Sequence, residues 1–86
     1  MNEPQAELLD APPLADEPTD YDWAHRLCYL RLLDADADGA DWREVAGIVM
    51  SLDPKDNPDR AHKAWRSHLD RAKWMTTHGY RAYLES

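Results

Sequence analysis

Eighty-six residues allow one small domain with a modest core and leave no room for a large enclosed active site. Seventeen Asp and Glu against ten Lys and Arg set a formal net charge of −7, which opposes simple phosphate-backbone binding because an acidic chain meets repulsion where a nucleic-acid binder gains by counterion release. The lone cysteine, Cys28, excludes an internal disulfide and a thiolate metal cluster, and it fits a reducing cytoplasm.

The charge is uneven. Residues 1–20 hold six acids and no base, whereas residues 60–86 hold two acids and six bases. Residues 1–19 carry Pro4, Pro12, Pro13 and Pro18 among acids and small side chains, a composition that buries too little apolar surface to offset chain entropy. A disordered acidic arm is expected there, with the folded domain over 20–86; the alternative is that Leu8, Leu9 and Leu14 form a short docking motif or fold back on the domain. No basic or apolar leader precedes it, and no apolar run approaches the roughly 20 residues needed to cross a bilayer. A soluble cytoplasmic protein is expected.

Thr19 or Asp20 can cap a first helix running to about Ala35. At about 100° per residue, Trp23, Ala24, Leu27 and Leu30 share one face, and Tyr21, Cys28, Tyr29 and Leu32 fall roughly opposite. A helix apolar on two sides is either wedged between others or offers its second face to a partner.

Next come Asp34, Asp36, Asp38 and Gly39, which match the first half of an EF-hand calcium loop. The closing position is Val45, and Glu44 stands one residue early. Without that carboxylate the segment reads as a turn at Gly39 followed by a cap, Asp41 with Glu44 forming a capping box for a second helix. Trp42, Val45, Ala46, Val49 and Leu52 make its inward stripe, and it ends before Pro54. Asn57 and Pro58 then supply an N-cap and first position for a third helix running to about Thr77. Ala61, Ala64, Trp65, His68, Leu69, Ala72 and Met75 form its core face, while Trp74 lies about 180° from Trp65. Gly79 ends this helix, and residues 80–84 form a short turn or helix folding back toward Trp74.

The four histidines show no H-x-x-x-H or HExxH spacing, Cys28 sits mid-helix among apolar residues, and the three glycines form no phosphate loop. No enzyme, metal site or cofactor is expected. The fold class is all-α: three main helices with a long turn between the second and third, as in a helix-turn-helix, plus a short C-terminal element. In a DNA-binding reading, Lys63, Arg66 and Lys73 would touch phosphates.

Several short motifs occur in a telling order: Leu30-Arg31-Leu32-Leu33-Asp34, Gly39-Ala40-Asp41-Trp42-Arg43-Glu44-Val45-Ala46, Trp65, and Gly79-Tyr80-Arg81-Ala82-Tyr83-Leu84. Over residues 23–84 the chain resembles the proteobacterial domain of unknown function found in mobile-element transcription regulators. The resemblance implies an extended-turn helix-turn-helix variant. Longer members join this domain to an N-terminal partner domain, bind DNA through a basic surface, and activate excision and conjugative transfer of integrative elements. This chain lacks the partner domain and is acidic. It is similar in this to the QseM-type antiactivators, which compete for the activator's partner domain and are also associated with quorum-sensing activators of the LuxR class. The function so implied is sequestration of a transcriptional activator, with horizontal gene transfer as its setting. Interfaces concentrate energy in aromatic and Arg residues. The partner-binding residues expected are therefore Tyr21, Tyr29 and Leu32 on the second face of the first helix, with Trp74 and Arg81.

Overall fold

A computed structural model describes residues 8–85; the expectation of disorder over residues 1–7 lies outside them. Five helices follow in order: α1 (Asp20–Ala24), α2 (Arg26–Ala37), α3 (Trp42–Met50), α4 (Pro58–Thr77) and α5 (Arg81–Leu84). The class is all-helical, with three main helices. Among the described residues no helix is long and apolar enough to cross a membrane.

Local chemistry accounts for the boundaries. Thr19 opens α1 with a reciprocal box, the Asp22 N–H donating to Thr19 Oγ1 and the Thr19 N–H to Asp22 Oδ2. The expected single first helix breaks at His25, whose backbone leaves the helical region at φ −108° and ψ 17°. Gly39 takes a left-handed φ of 73° after α2, and the Ala40 N–H reaches back to the Ala35 carbonyl, closing a Schellman stop. Asp34 and Asp36 therefore belong to the last turn of α2 rather than to a loop around a cation. Asp41 caps α3 by accepting from the Arg43 N–H, while Glu44 stays in the exposed first turn. Asn57 accepts from the Arg60 N–H with Pro58 at the first helical position, and α4 begins where those two residues predict. After α4, Gly79 at φ 82° and a 2.8 Å bond from the Tyr80 N–H to the Met75 carbonyl repeat the Schellman stop.

Helix α4 is the spine, with α2 packed along it, α3 at one end and α5 against α2 at the other. One core cluster joins Leu32, Val45, Met50, Ala64 and Leu69; the other joins Tyr29, Ala72, Met75 and Leu84, and Leu33 packs against both. Leu8 also packs on the first cluster. Between Leu8 and Thr19 the chain touches the helices at polar anchors, Asp10 with Arg60 and the Ala15 and Glu17 carbonyls with Arg71.

Those anchors centre on a buried network. Arg71 donates to both oxygens of Asp22, to the Ala15 carbonyl at 2.7 Å and to the Glu17 carbonyl at 3.0 Å. Tyr29 Oη donates to Asp22 Oδ1 at 2.8 Å. Burial raises the Asp22 carboxyl's pKa, but the hydrogen bonds from Arg71, the Thr19 N–H and Tyr29, with the Arg71 charge, outweigh it and hold the pKa below the usual carboxylate value.

Candidate protein-interaction face

The residues expected to bind a partner do not form one exposed face. Tyr29 and Leu32 are 0% and 1% exposed and belong to the two core clusters. Packing against α4 turned this face of α2 inward, and Tyr29 gained a buried acceptor in Asp22. Tyr21 is half-buried: its hydroxyl accepts from the Leu9 N–H at 3.0 Å and lies 2.6 Å from His68 Nε2. Trp74 is half-buried beneath Arg71, whose guanidinium stands 4.1 Å from the ring centroid, and it stacks with His78 and Tyr80. Arg81 is exposed and faces Glu85 at 3.5 Å.

The basic residues of the DNA-binding reading are exposed on α4, but acids interleave them. Arg66 pairs with Asp70 at 3.3 Å, and Lys73 pairs with Asp36 at 3.1 Å. Lys63 is exposed.

On the opposite side of the first helical region Leu30 packs on the second core cluster and Trp23 lies between Tyr83, edge-on at 5.3 Å, and the Arg26 guanidinium at 3.9 Å, while Leu27 stands exposed. Trp23 is 41% exposed, Leu27 63% and Ile48 81%. Between α2 and the end of α3 lies a groove of about 290 Å³, walled by Leu27 and Cys28 from α2, Val49 and Met50 from α3, and Leu8 from the docked segment. His25, Arg31 and Ser51 contribute its polar edge. Ser51 holds a left-handed φ of 56°, a conformation costly for a residue with a Cβ, and this turns the chain sharply beneath the groove. Burial pushes the Cys28 thiol up to about 11, with Arg31 opposing, so it stays protonated and acts as an apolar wall. Leu27 adds an exposed aliphatic side chain to the rim of this apolar-walled groove.

Sequence periodicity assigned Leu27 to the inward side and so missed this face. Ile48 was the available signal, since it stands outside the α3 stripe of Val45, Ala46 and Val49.

Neither protein-family models nor the curated proteins searched contain a match to this chain.

Proposed function

We propose that this chain is an antiactivator, which binds a transcriptional activator of integrative and conjugative element excision and transfer and keeps it from acting. The observation that carries the reading is exposed Leu27 at the apolar-walled α2/α3 groove, with Ile48 exposed on α3, on a chain of net charge −7. An apolar patch supplies binding energy to a protein partner, whereas the acidic balance repels DNA. The resemblance of residues 23–84 to mobile-element regulators names the partner: the N-terminal domain of such an activator, or a LuxR-class quorum-sensing activator. The contact residues differ from those expected on sequence. Leu27 and Ile48 take the place of Tyr29 and Leu32, which the core already uses.

Acid placement supports the same reading. Asp34 and Asp36 occupy the last turn of α2 with Asp38 at its cap, the negative end of the helix dipole, where carboxylates are disfavoured by some tenths of a kcal/mol each. A DNA-binding regulator using Lys63, Arg66 and Lys73 is the competing class. Co-purification with the activator encoded on the same element tests the two. The antiactivator reading expects a complex that Leu27→Ala and Ile48→Ala weaken without unfolding the chain. Tight, salt-dependent shifts of element promoter DNA by the chain alone would overturn it.

A further inference from the structure

Residues 8–10 are held on the helices by a few contacts, and one of them runs through a titratable ring. The Leu9 N–H donates to Tyr21 Oη at 3.0 Å, and Tyr21 Oη lies 2.6 Å from His68 Nε2. His68 Nδ1 is 2.7 Å from the Ala64 carbonyl, which can only accept, so Nδ1 carries the proton of the neutral ring and Nε2 receives the Tyr21 hydroxyl proton. The hydroxyl therefore accepts from the backbone of Leu9 and donates to a fully buried imidazole.

A second proton on the ring reverses that order. Nε2 becomes a donor whose acceptor at hand is Tyr21 Oη, since the other ring N–H is already committed to Ala64. Two N–H groups then converge on one oxygen, and the hydroxyl proton loses the acceptor it had. A buried imidazolium keeps its hydroxyl partner in preference to the backbone of an exposed residue, because hydrogen bonds to charged groups are the stronger kind. The hydroxyl proton turns into the place of the Leu9 N–H, and Leu9 is the group that leaves. Little else holds the stretch. Asp10 meets Arg60 at 2.8 Å as a solvated pair, and the Ser67 hydroxyl divides its proton between the Asp10 carbonyl at 3.3 Å and the Ala64 carbonyl at 3.2 Å. Leu8 is only partly buried against the first core cluster.

We propose that His68 is an acid-operated latch: a proton taken from solvent by Nε2 makes that nitrogen donate to Tyr21 Oη, displaces the Leu9 N–H and releases residues 8–10 from the helices. Release withdraws a wall from two grooves. Leu8 lines the α2/α3 groove, and Leu8, Leu9 and Asp10 line a second one with Leu52, Ala61 and Ala64. The groups facing the ring are Tyr21 from α1, Tyr29 from α2 at 6.4 Å between centroids, and His25 from the break between those helices, stacked on Tyr21 at 4.0 Å. Tyr29 leads on to the Asp22–Arg71 pair, whereas the buried residues of α3 and α5, Val45, Ala46, Met50 and Leu84, carry no titratable group. Burial lowers the His68 pKa, with the Ala64 bond opposing and His25 adding to the depression, so release belongs below about pH 6.5. The latch stands independently of the antiactivator reading.

The test titrates the full chain, isotope-labelled, downward from neutral pH, with the His68 and His25 ring resonances and the backbone amides followed together. The Leu9 amide should shift with the midpoint of His68 and lose about fivefold to tenfold of its exchange protection, the worth of one hydrogen bond. The α4 amides should stay native, and residues 15–17, anchored on Arg71, should keep their shifts. Tyr21→Phe, which leaves the Leu9 N–H without its acceptor, should show the low-pH state of Leu9 already at neutral pH and no step on acidification. His68→Gln should abolish the step. Asp10→Asn should keep it, which separates the latch from protonation of the Asp10 carboxylate. A Leu9 amide that stays unchanged while His68 becomes charged overturns the proposal, as does a midpoint that follows His25 or a step that survives in Tyr21→Phe or His68→Gln. Loss of the α4 amides together with Leu9 also overturns it, because the proton then unfolds the domain instead of releasing the segment.

Discussion

Arg71 and Asp22 form a bidentate ion pair inside the protein, Nη2 to Oδ2 at 2.8 Å and Nε to Oδ1 at 3.2 Å, with side chains 2% and 0% exposed. Breaking one side of such a pair leaves an uncompensated buried charge, which costs about 3–5 kcal/mol. Asp22→Ala and Arg71→Ala should each lower stability by that order in urea titrations. The pair Asp22→Leu with Arg71→Met, which removes both charges, should cost much less than the two single changes together.

A second buried hydrogen-bond chain carries a histidine. His68 Nδ1 donates to the Ala64 carbonyl at 2.7 Å, so Nε2 accepts from Tyr21 Oη, which in turn accepts from the Leu9 N–H. Burial lowers the His68 pKa, with the Ala64 bond opposing and His25 adding to the depression. The unfolded chain takes up its proton near 6.5, before the folded chain does. Stability is therefore fully present above about pH 6.5 and is lost as pH falls from there through the folded-state value. Urea midpoints followed downward from neutral pH should fall for the wild type and fall less steeply for His68→Gln. The depressed Asp22 carboxyl adds a separate loss in the same direction only below its unfolded value near 3.9.

Most helix boundaries were legible because they depend on neighbours in sequence. Thr19, Asp41, Asn57-Pro58, Gly39 and Gly79 act through their own backbone and the next few residues, and α4 runs from Pro58 to Thr77 as expected. The break at His25 carries no proline or glycine to announce it. Which side of α2 faces inward was illegible for another reason. Hydropathy counts Asp22, His25 and Arg71 as surface residues, yet all three are buried, whereas His68 is buried as the core-face spacing of α4 expects. The burial of Asp22 and Arg71 follows from their pairing across 49 residues, which no local pattern encodes. The same pairing carries Tyr29 and Leu32 inward and leaves Trp23 and Leu27 outside.

That inversion is directly measurable. Leu32→Ala removes a fully buried side chain and should cost about 2–5 kcal/mol in stability. Leu27→Ala removes an exposed one and should stay within about 0.5 kcal/mol of the wild type. Under the proposed function, activator binding should respond the other way round once folded fractions are accounted for: weakened by Leu27→Ala, and changed by Leu32→Ala only as far as the chain unfolds. A Leu32→Ala variant that stays as stable as the wild type would contradict the packing described.

The docked segment gives the last separation between composition and structure. Asp10 meets Arg60 at 2.8 Å, but both side chains are more than half exposed, and a solvated pair of this kind contributes about 1 kcal/mol or less. Arg71 is different. Two of its four hydrogen bonds end on the Ala15 and Glu17 carbonyls, next to the sealed Asp22. Hydrogen bonds to a charged group contribute about 1.5–3 kcal/mol each, so removal of residues 1–18 should destabilise the helices by roughly 3 kcal/mol or more. Asp10→Ala should leave the urea midpoint nearly unchanged. Limited proteolysis should read the same order, with residues 15–19 cut more slowly than residues 8–11. A truncated chain as stable as the full one would show that the guanidinium finds equal partners in water, and would return the segment to the solvated arm its composition suggests.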